Sequence, residues 1–297
     1  MKILIIGSEG FIGKNLWSHF TKDAKYSVFR ADIVDIKEDD YFRIKEDEED
    51  FKLLFKQEFK VCINASGSGS VAFSNTNPQR DYKLNTENVL LILEAIRSIR
   101  PSCKFINFSS AAVYGNSKTI PITEDQELNP VSPYGKHKLM SEVICKDFYE
   151  KYKIETLSLR VFSVYGPGLK KQLFWDIYQK AIAGKEIVLE GSGNETRDFI
   201  FIDDLCEAVD KLLLFHEFKG GVVNVSSGQS TTIKKAAELM VSNLFKEGKV
   251  TFTNNTRVGD PIHYLGDISA LKKIGFDPKC SIEKGIKKYA TWLQEKR

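Results

Sequence analysis

The sequence has no apolar run near the roughly 20 residues that a helix needs to cross a bilayer. Its amino terminus, Met1 to Gly7, is apolar only briefly before it meets glycines, so a buried strand is expected there and not a secretory leader. Cysteine is scarce: five residues, Cys62, Cys103, Cys145, Cys206 and Cys280, with no CxxC pair. That pattern excludes a disulfide framework and suits a reducing, cytoplasmic setting. Cys62 and Cys103 sit in strand-like runs and read as small core residues. The four histidines, His19, His137, His216 and His263, show no ligand spacing, so no metal is expected. Neither sign of charge prevails, with 43 basic and 40 acidic residues and a net charge of +3. This argues against a dedicated nucleic-acid surface. The acidic stretch Glu46 to Asp50 reads as a solvated helix start, where carboxylates suit the dipole.

What is present is an ordinary globular composition over 297 residues, 42% hydrophobic and 28% charged. Short runs rich in Ile, Val and Phe alternate with helical patterns. Strands are expected at Lys2–Ile6, Tyr26–Arg30, Tyr41–Ile44, Val61–Asn64, Lys104–Phe108 and Thr156–Val161. Helices are expected at Phe11–Thr21, Thr86–Ile99 and Pro133–Tyr152, with Val89, Leu90, Leu93 and Ile96 as the apolar stripe of the second. This alternation implies an α/β fold with a doubly wound parallel sheet over residues 1–165. After Gly166-Pro167-Gly168 the rhythm changes, and residues 166–297 read as a smaller substrate-binding region on the carboxyl edge of the sheet. Expected there are a helix at Lys170–Ala183, a strand at Ile187–Glu190, and a final amphipathic helix at Ser281–Gln294. Ile282, Ile286, Tyr289 and Leu293 form the apolar stripe of that last helix.

Gly7-Ser8-Glu9-Gly10-Phe11-Ile12-Gly13 follows the first strand and opens a helix. In that context the glycines allow a tight turn, and the helix start receives a pyrophosphate. The spacing is GxxGxxG and not GxGxxG. Asp32, 19 residues beyond Gly13, is placed to bind the adenosine ribose hydroxyls and to repel a 2′-phosphate, as is Glu9. Arg30 could instead swing toward such a phosphate. NAD is therefore the expected cofactor, with NADP as the alternative.

Ser132-Pro133-Tyr134-Gly135-Lys136-His137-Lys138 opens a helix on which Tyr134 and Lys138 share one face. An ammonium beside the phenol would favour phenolate and make Tyr134 a proton shuttle. Ser110, 24 residues earlier, closes a strand where doubly wound sheets place ligands, and its hydroxyl can hold a substrate oxygen.

These blocks resemble the extended short-chain dehydrogenase/reductases, in particular their nucleotide-sugar epimerase/dehydratase group. The resemblance also covers Asn64-Ala65-Ser66-Gly67, Leu159 to Gly168, Thr196-Arg197-Asp198-Phe199 and Arg257-Val258-Gly259-Asp260-Pro261. It implies a Rossmann domain, a nucleotide-sugar substrate and a homodimer packed through the helices that contain Asn88 and Tyr134. It also implies catalysis by Ser110, Tyr134 and Lys138. The cofactor would lie against Gly7, Gly10, Phe11, Ile12, Gly13, Asp32, Ser66, Gly67, Asn85, Tyr134 and Lys138. The substrate would lie against Ser110, Ser163, Arg197 and Arg257, the arginines holding the diphosphate. Ser163 stands where many relatives carry asparagine. The implied reaction is 4-epimerisation or 4-keto reduction of the sugar. The alternatives are a 4,6-dehydratase and a non-catalytic dinucleotide sensor. Ala111 and Ala112 weigh against dehydration, because they occupy the places of an acid-base pair that such enzymes carry.

Overall fold

The computed structural model describes residues 1–117, 119–184, 186–245, 248–255 and 263–295. Its first half runs β1 (Lys2–Ile6), α1 (Phe11–Phe20), β2 (Ser27–Asp32), β3 (Tyr41–Arg43), α2 (Glu48–Leu54) and β4 (Val61–Asn64). There follow α3 (Val71–Thr76), α4 (Pro78–Tyr82), a π-helical turn (Lys83–Glu87) and α5 (Asn88–Ile99). Then come β5 (Lys104–Ser110), a 3-10 turn (Ala111–Tyr114), α6 (Pro133–Tyr152) and β6 (Thr156–Val161). The second half continues with β7 (Ser163–Tyr165), α7 (Gln172–Ile182), β8 (Ile187–Leu189), β9 (Thr196–Phe201) and α8 (Ile202–Phe215). It ends with β10 (Gly221–Val225), β11 (Ser230–Thr232), α9 (Ile233–Leu244), β12 (Val250–Phe252), α10 (Ser269–Lys273) and α11 (Ile282–Glu295).

Seven parallel strands form the central sheet in the order β10-β6-β5-β4-β1-β2-β3. Strand order reverses between β1 and β4, and ligands of such sheets lie in the crevice outside the carboxyl ends at that switch. The interior strands are apolar on both faces because both are covered. Ile3, Ile5, Ile63 and Ile106 enter one core, while Leu4, Ile6, Cys62 and Phe105 enter the other. The strand alternation thus divides one apolar run between two cores. Cys62 and Cys103 are fully buried, as small core residues should be.

Strands expected at Lys2–Ile6, Val61–Asn64 and Thr156–Val161, and the helix at Pro133–Tyr152, are found with those limits. The acidic stretch starts α2: Asp47 accepts the Asp50 N–H at 2.9 Å and caps it. Two expectations need correction. On α5 the buried stripe is Val89, Ile92, Leu93 and Ile96, while Leu90 is 39% exposed, one step round the helix from that face. The helix also has a forerunner, since α4 and the π-helical turn precede it from Pro78 onward.

Beyond residue 166 the chain does two things. Strand β10 completes the central sheet beside β6, and α8 packs beside α1. The remainder builds a three-stranded sheet, β11-β9-β7, and a two-stranded sheet, β12-β8. The four stripe residues of the last helix, Ile282, Ile286, Tyr289 and Leu293, are all buried. Among the described residues, no helix is long and apolar enough to cross a membrane.

Candidate active site

The loop between β1 and α1 is closed to any side chain at two of its glycines. Gly7 has φ +79°, and a Cβ there would lie 2.5 Å from the Ser66 backbone nitrogen. A Cβ on Gly13 would lie 2.1 Å from the Gly7 carbonyl oxygen. Gly10 is the N-cap of α1, and no side chain caps that end. The N–H groups of Phe11, Ile12 and Gly13 therefore open toward the cleft, where they suit a pyrophosphate. Asp32 closes β2 beside this loop. Its Oδ2 accepts the Glu9 N–H at 2.8 Å and its Oδ1 the Ile33 N–H at 2.7 Å. The residues present fit a dinucleotide: a backbone cradle that a Cβ would fill, and a carboxylate at its ribose end.

Arg30, the residue that could have met a 2′-phosphate, is 5% exposed. Its Nε donates to Asp40 at 3.1 Å, its Nη2 donates to Asp40 at 2.8 Å and to Glu38, and its guanidinium stacks on Trp17 at 4.3 Å. Sequence spacing could not show this lock, because Glu38 and Asp40 lie in a loop that returns only through β3.

Across the switch, Ser66 and Gly67 follow β4. Ser66 Oγ donates to Asn64 Oδ1 at 2.6 Å, and Gly67, at φ +113°, lies against Asn85, whose Oδ1 would be 2.5 Å from a Cβ there. That Oδ1 is buried and has no hydrogen-bond partner. A buried acceptor without a partner costs about 1–3 kcal/mol, and it points at a donor from outside the chain. Asn85 sits in the π-helical turn, a local form that recurs at functional sites.

Ser110 is the last residue of β5 and Tyr134 the second of α6, whose start is capped by Ser132 Oγ accepting from the Gly135 N–H at 3.1 Å. Ser110 and Tyr134 hydroxyls are hydrogen-bonded. Ser110 Oγ also accepts the Ala112 N–H at 3.1 Å, which leaves its own proton for Tyr134. One turn along, the buried Lys138 donates from Nζ to the Phe108 carbonyl at 2.7 Å. Burial pushes the Lys138 ammonium down to about 8, with Asp81 opposing.

One expectation is not met in the chain alone. Burial raises the Tyr134 phenol above its ordinary value, and the hydrogen bond from Ser110 opposes this. The Lys138 ammonium, held by the Phe108 carbonyl, does not offset the loss of water around the phenol.

Under this pair lies a buried ionic layer that sequence reading missed. Arg160 of β6 pairs with Glu142 of α6 through Nη2 to Oε2 at 2.8 Å and Nε to Oε1 at 3.1 Å. It also donates from Nη1 to Tyr114 Oη at 2.9 Å, while Ser109 donates to Glu142. The layer ties β5, β6 and α6 together directly below Ser110. Glu142 stands four residues after Lys138, and that interval was the only available signal.

On the far side of the cleft, Ser163 opens β7 and is half-buried. Arg197 of β9 is half-buried, donates from Nη1 to the Thr196 carbonyl at 2.9 Å, and lies over the Tyr264 ring at 6.0 Å. Arg257 lies outside the described residues. Gly7, Asp32, Ser66, Ser110 and Ser163 are thus all brought to the carboxyl ends of neighbouring strands, as the notional cleft required.

This fold and this arrangement define an NAD-dependent enzyme of the extended short-chain dehydrogenase/reductase type. Residues 3–226 match the sequence profile of the NAD dependent epimerase/dehydratase family, and the chain belongs to that family. Among similar solved structures is a UDP-glucuronic acid 4-epimerase from Bacillus cereus, in complex with UDP-glucuronic acid and NAD. It is 25% identical with a TM-score of 0.91, and the match covers 100% of each chain. A UDP-N-acetylglucosamine 4-epimerase from Methanobrevibacter ruminantium M1 is 26% identical with a TM-score of 0.88, covering 100% of this chain and 99% of that one. A UDP-glucose 4-epimerase from Thermotoga maritima is 26% identical with a TM-score of 0.90, covering 100% and 99%.

Proposed function

We propose that the chain is a UDP-sugar 4-epimerase in which Ser110, Tyr134 and Lys138 act at carbon 4 of the sugar. The observation that carries this reading is the hydrogen-bonded Ser110–Tyr134 pair at the end of β5, one helical turn from a buried Lys138. The three similar UDP-sugar 4-epimerases support the substrate class. When bound, NAD would supply the acceptor for the carbon 4 hydride and, in its oxidised form, a positive charge.

The chain's own part is to hold and move a proton. Ser110 Oγ holds the 4-oxygen. Tyr134 Oη takes its proton as the alcohol becomes a ketone and returns it when the hydride comes back to the other face. The upward push of burial on Tyr134 would be opposed by that positive charge. Lys138 holds the nicotinamide ribose from the floor of the cleft. Gly7, Gly10, Phe11, Ile12 and Gly13 hold the pyrophosphate, Asp32 the adenosine ribose, and Ser66, Gly67 and Asn85 the nicotinamide side. Ser163 at the start of β7, with Arg197 and Arg257 from the region beyond residue 166, holds the UDP-sugar, the two guanidinium groups on its diphosphate.

Dehydration would need a base for the carbon 5 proton and an acid for the departing hydroxyl. The two residues after Ser110 are Ala111 and Ala112, whose methyl groups do neither. A second copy of the chain is assigned to the outer face of α5 and α6, where Leu90, Met140 and Val143 are 39%, 47% and 55% exposed. The test is incubation with UDP-glucose, UDP-N-acetylglucosamine and UDP-glucuronic acid, with NAD in catalytic amount. Formation of a carbon 4 epimer of unchanged mass supports the reading. A product lighter by one water, or an oxidised sugar formed as NAD is reduced mole for mole, overturns it.

A further inference from the structure

Asp81 of α4 has no part in the chemistry assigned above, yet its carboxylate is fully buried. Burying a carboxylate costs several kcal/mol unless its oxygens are met. Here Oδ1 accepts from Asn85 Nδ2 at 3.0 Å, and Oδ2 meets His137 Nδ1 at 2.7 Å. His137 stands immediately before Lys138 and three residues after Tyr134 on α6. Thr86 Oγ1 donates to the His137 carbonyl at 3.0 Å, and the Tyr82 ring meets the imidazole edge-on at 5.5 Å. The segment from α4 through the π-helical turn is therefore clamped to α6 at its catalytic turn. With its Nδ2 spent on Asp81, the Asn85 amide presents its unpartnered Oδ1 toward Gly67.

We propose that Asp81, held by His137, is a positioning residue for the reaction: its carboxylate braces the turn of α6 that carries Lys138, and its Oδ1 orients the Asn85 amide toward the cleft. The inference rests on the roles given to Tyr134 and Lys138 above.

The groups that face Lys138 come from several elements. Asp81 from α4 and Glu142 from α6 favour its charged form, and Lys171, just before α7, opposes it, as does burial. Cys145 on α6 completes the set. Asp81 is the strongest of the groups that favour the charge. The Glu142 carboxylate is already matched by Arg160. Removing the Asp81 charge leaves burial and Lys171 with little to oppose them.

The test is lysine-selective ¹³C,¹⁵N labelling of the full chain and NMR titration of the Lys138 side chain, assigned through Lys138→Arg. In the wild-type chain the half-point is expected near 8. Asp81→Asn keeps the volume and removes the charge, so the half-point should fall by about one unit or more, a shift of tenfold or greater. About half or more of Lys138 is then in its alkaline form at neutral pH, and the pH profile of kcat moves with it. Unfolding is followed in parallel by circular dichroism. Should Asp81→Asn not fold, Asp81→Ser, which also removes the carboxylate, carries the same comparison. A folded variant with an unmoved half-point overturns the proposal, as does a wild-type half-point below neutrality. The titration uses no substrate, so a chain inactive on every nucleotide sugar would sink the proposed function and leave this comparison standing.

Discussion

Asp32 makes a quantitative demand on cofactor choice. A carboxylate offers about four acceptor sites, and two are taken by the N–H groups of Glu9 and Ile33. Two remain for the paired hydroxyls of an adenosine ribose. A 2′-phosphate would bring a charge of about −1.5 to −2 to the same place. At about 6 Å and an effective dielectric constant of about 20, each unit charge is opposed by roughly 3 kcal/mol. Over the whole phosphate that is about 4–6 kcal/mol, which corresponds to about 1,000- to 10,000-fold in affinity. Arg30 is held away from that place by Asp40, Glu38 and the Trp17 ring. NADH should therefore bind at least about 1,000-fold more tightly than NADPH in calorimetric titrations of the cofactor-stripped chain. Asp32→Asn keeps the shape, removes the charge and should bring the ratio near unity. Asp32→Asn combined with Asp40→Ala should go further, since it loosens Arg30. Equal binding of the two cofactors by the wild-type chain would refute the reasoning. So would an Asp32→Asn variant whose ratio does not move.

Three further outcomes are expected. Tyr134→Phe should bind NAD normally and lose about 100- to 10,000-fold in kcat; near wild-type turnover with UDP-sugars would remove Tyr134 from the mechanism. Gly13→Ala should fail to bind NAD, because its methyl group would lie 2.1 Å from the Gly7 carbonyl oxygen; retention of cofactor after gel filtration would contradict the cradle. Arg197→Ala should raise KM for a UDP-sugar roughly tenfold, the scale of one charge-assisted hydrogen bond, with NAD affinity unchanged; the variant's substrate titration decides it.

The sheet was legible because it is a doubly covered parallel sheet, so each strand carries its own apolar run and each crossover its own helix. Residues close in sequence and tied to strand ends, Gly7 to Gly13 and Tyr134 with Lys138, could be read for the same reason. What stayed hidden depends on contacts far apart along the chain. Arg30 reads as a free cation until β3 brings Asp40 beside it. Asp81 looks like a surface helix residue until α4 docks on α6. The contribution of β10 to the central sheet is likewise set by packing against β6, since its five residues resemble any short strand. The expected favouring of the Tyr134 phenolate is not met because spacing shows which charge is near and not how deeply the phenol is buried.

The most direct measurement of the account is the fate of the hydrogen on carbon 4. UDP-sugar carrying deuterium at that carbon, incubated with the chain and catalytic NAD, should yield the 4-epimer with the deuterium still on carbon 4, because the hydride leaves and returns within one site. Loss of the deuterium to water, or its appearance in free NADH, would contradict the claim that this chain epimerises carbon 4 by returning the same hydride.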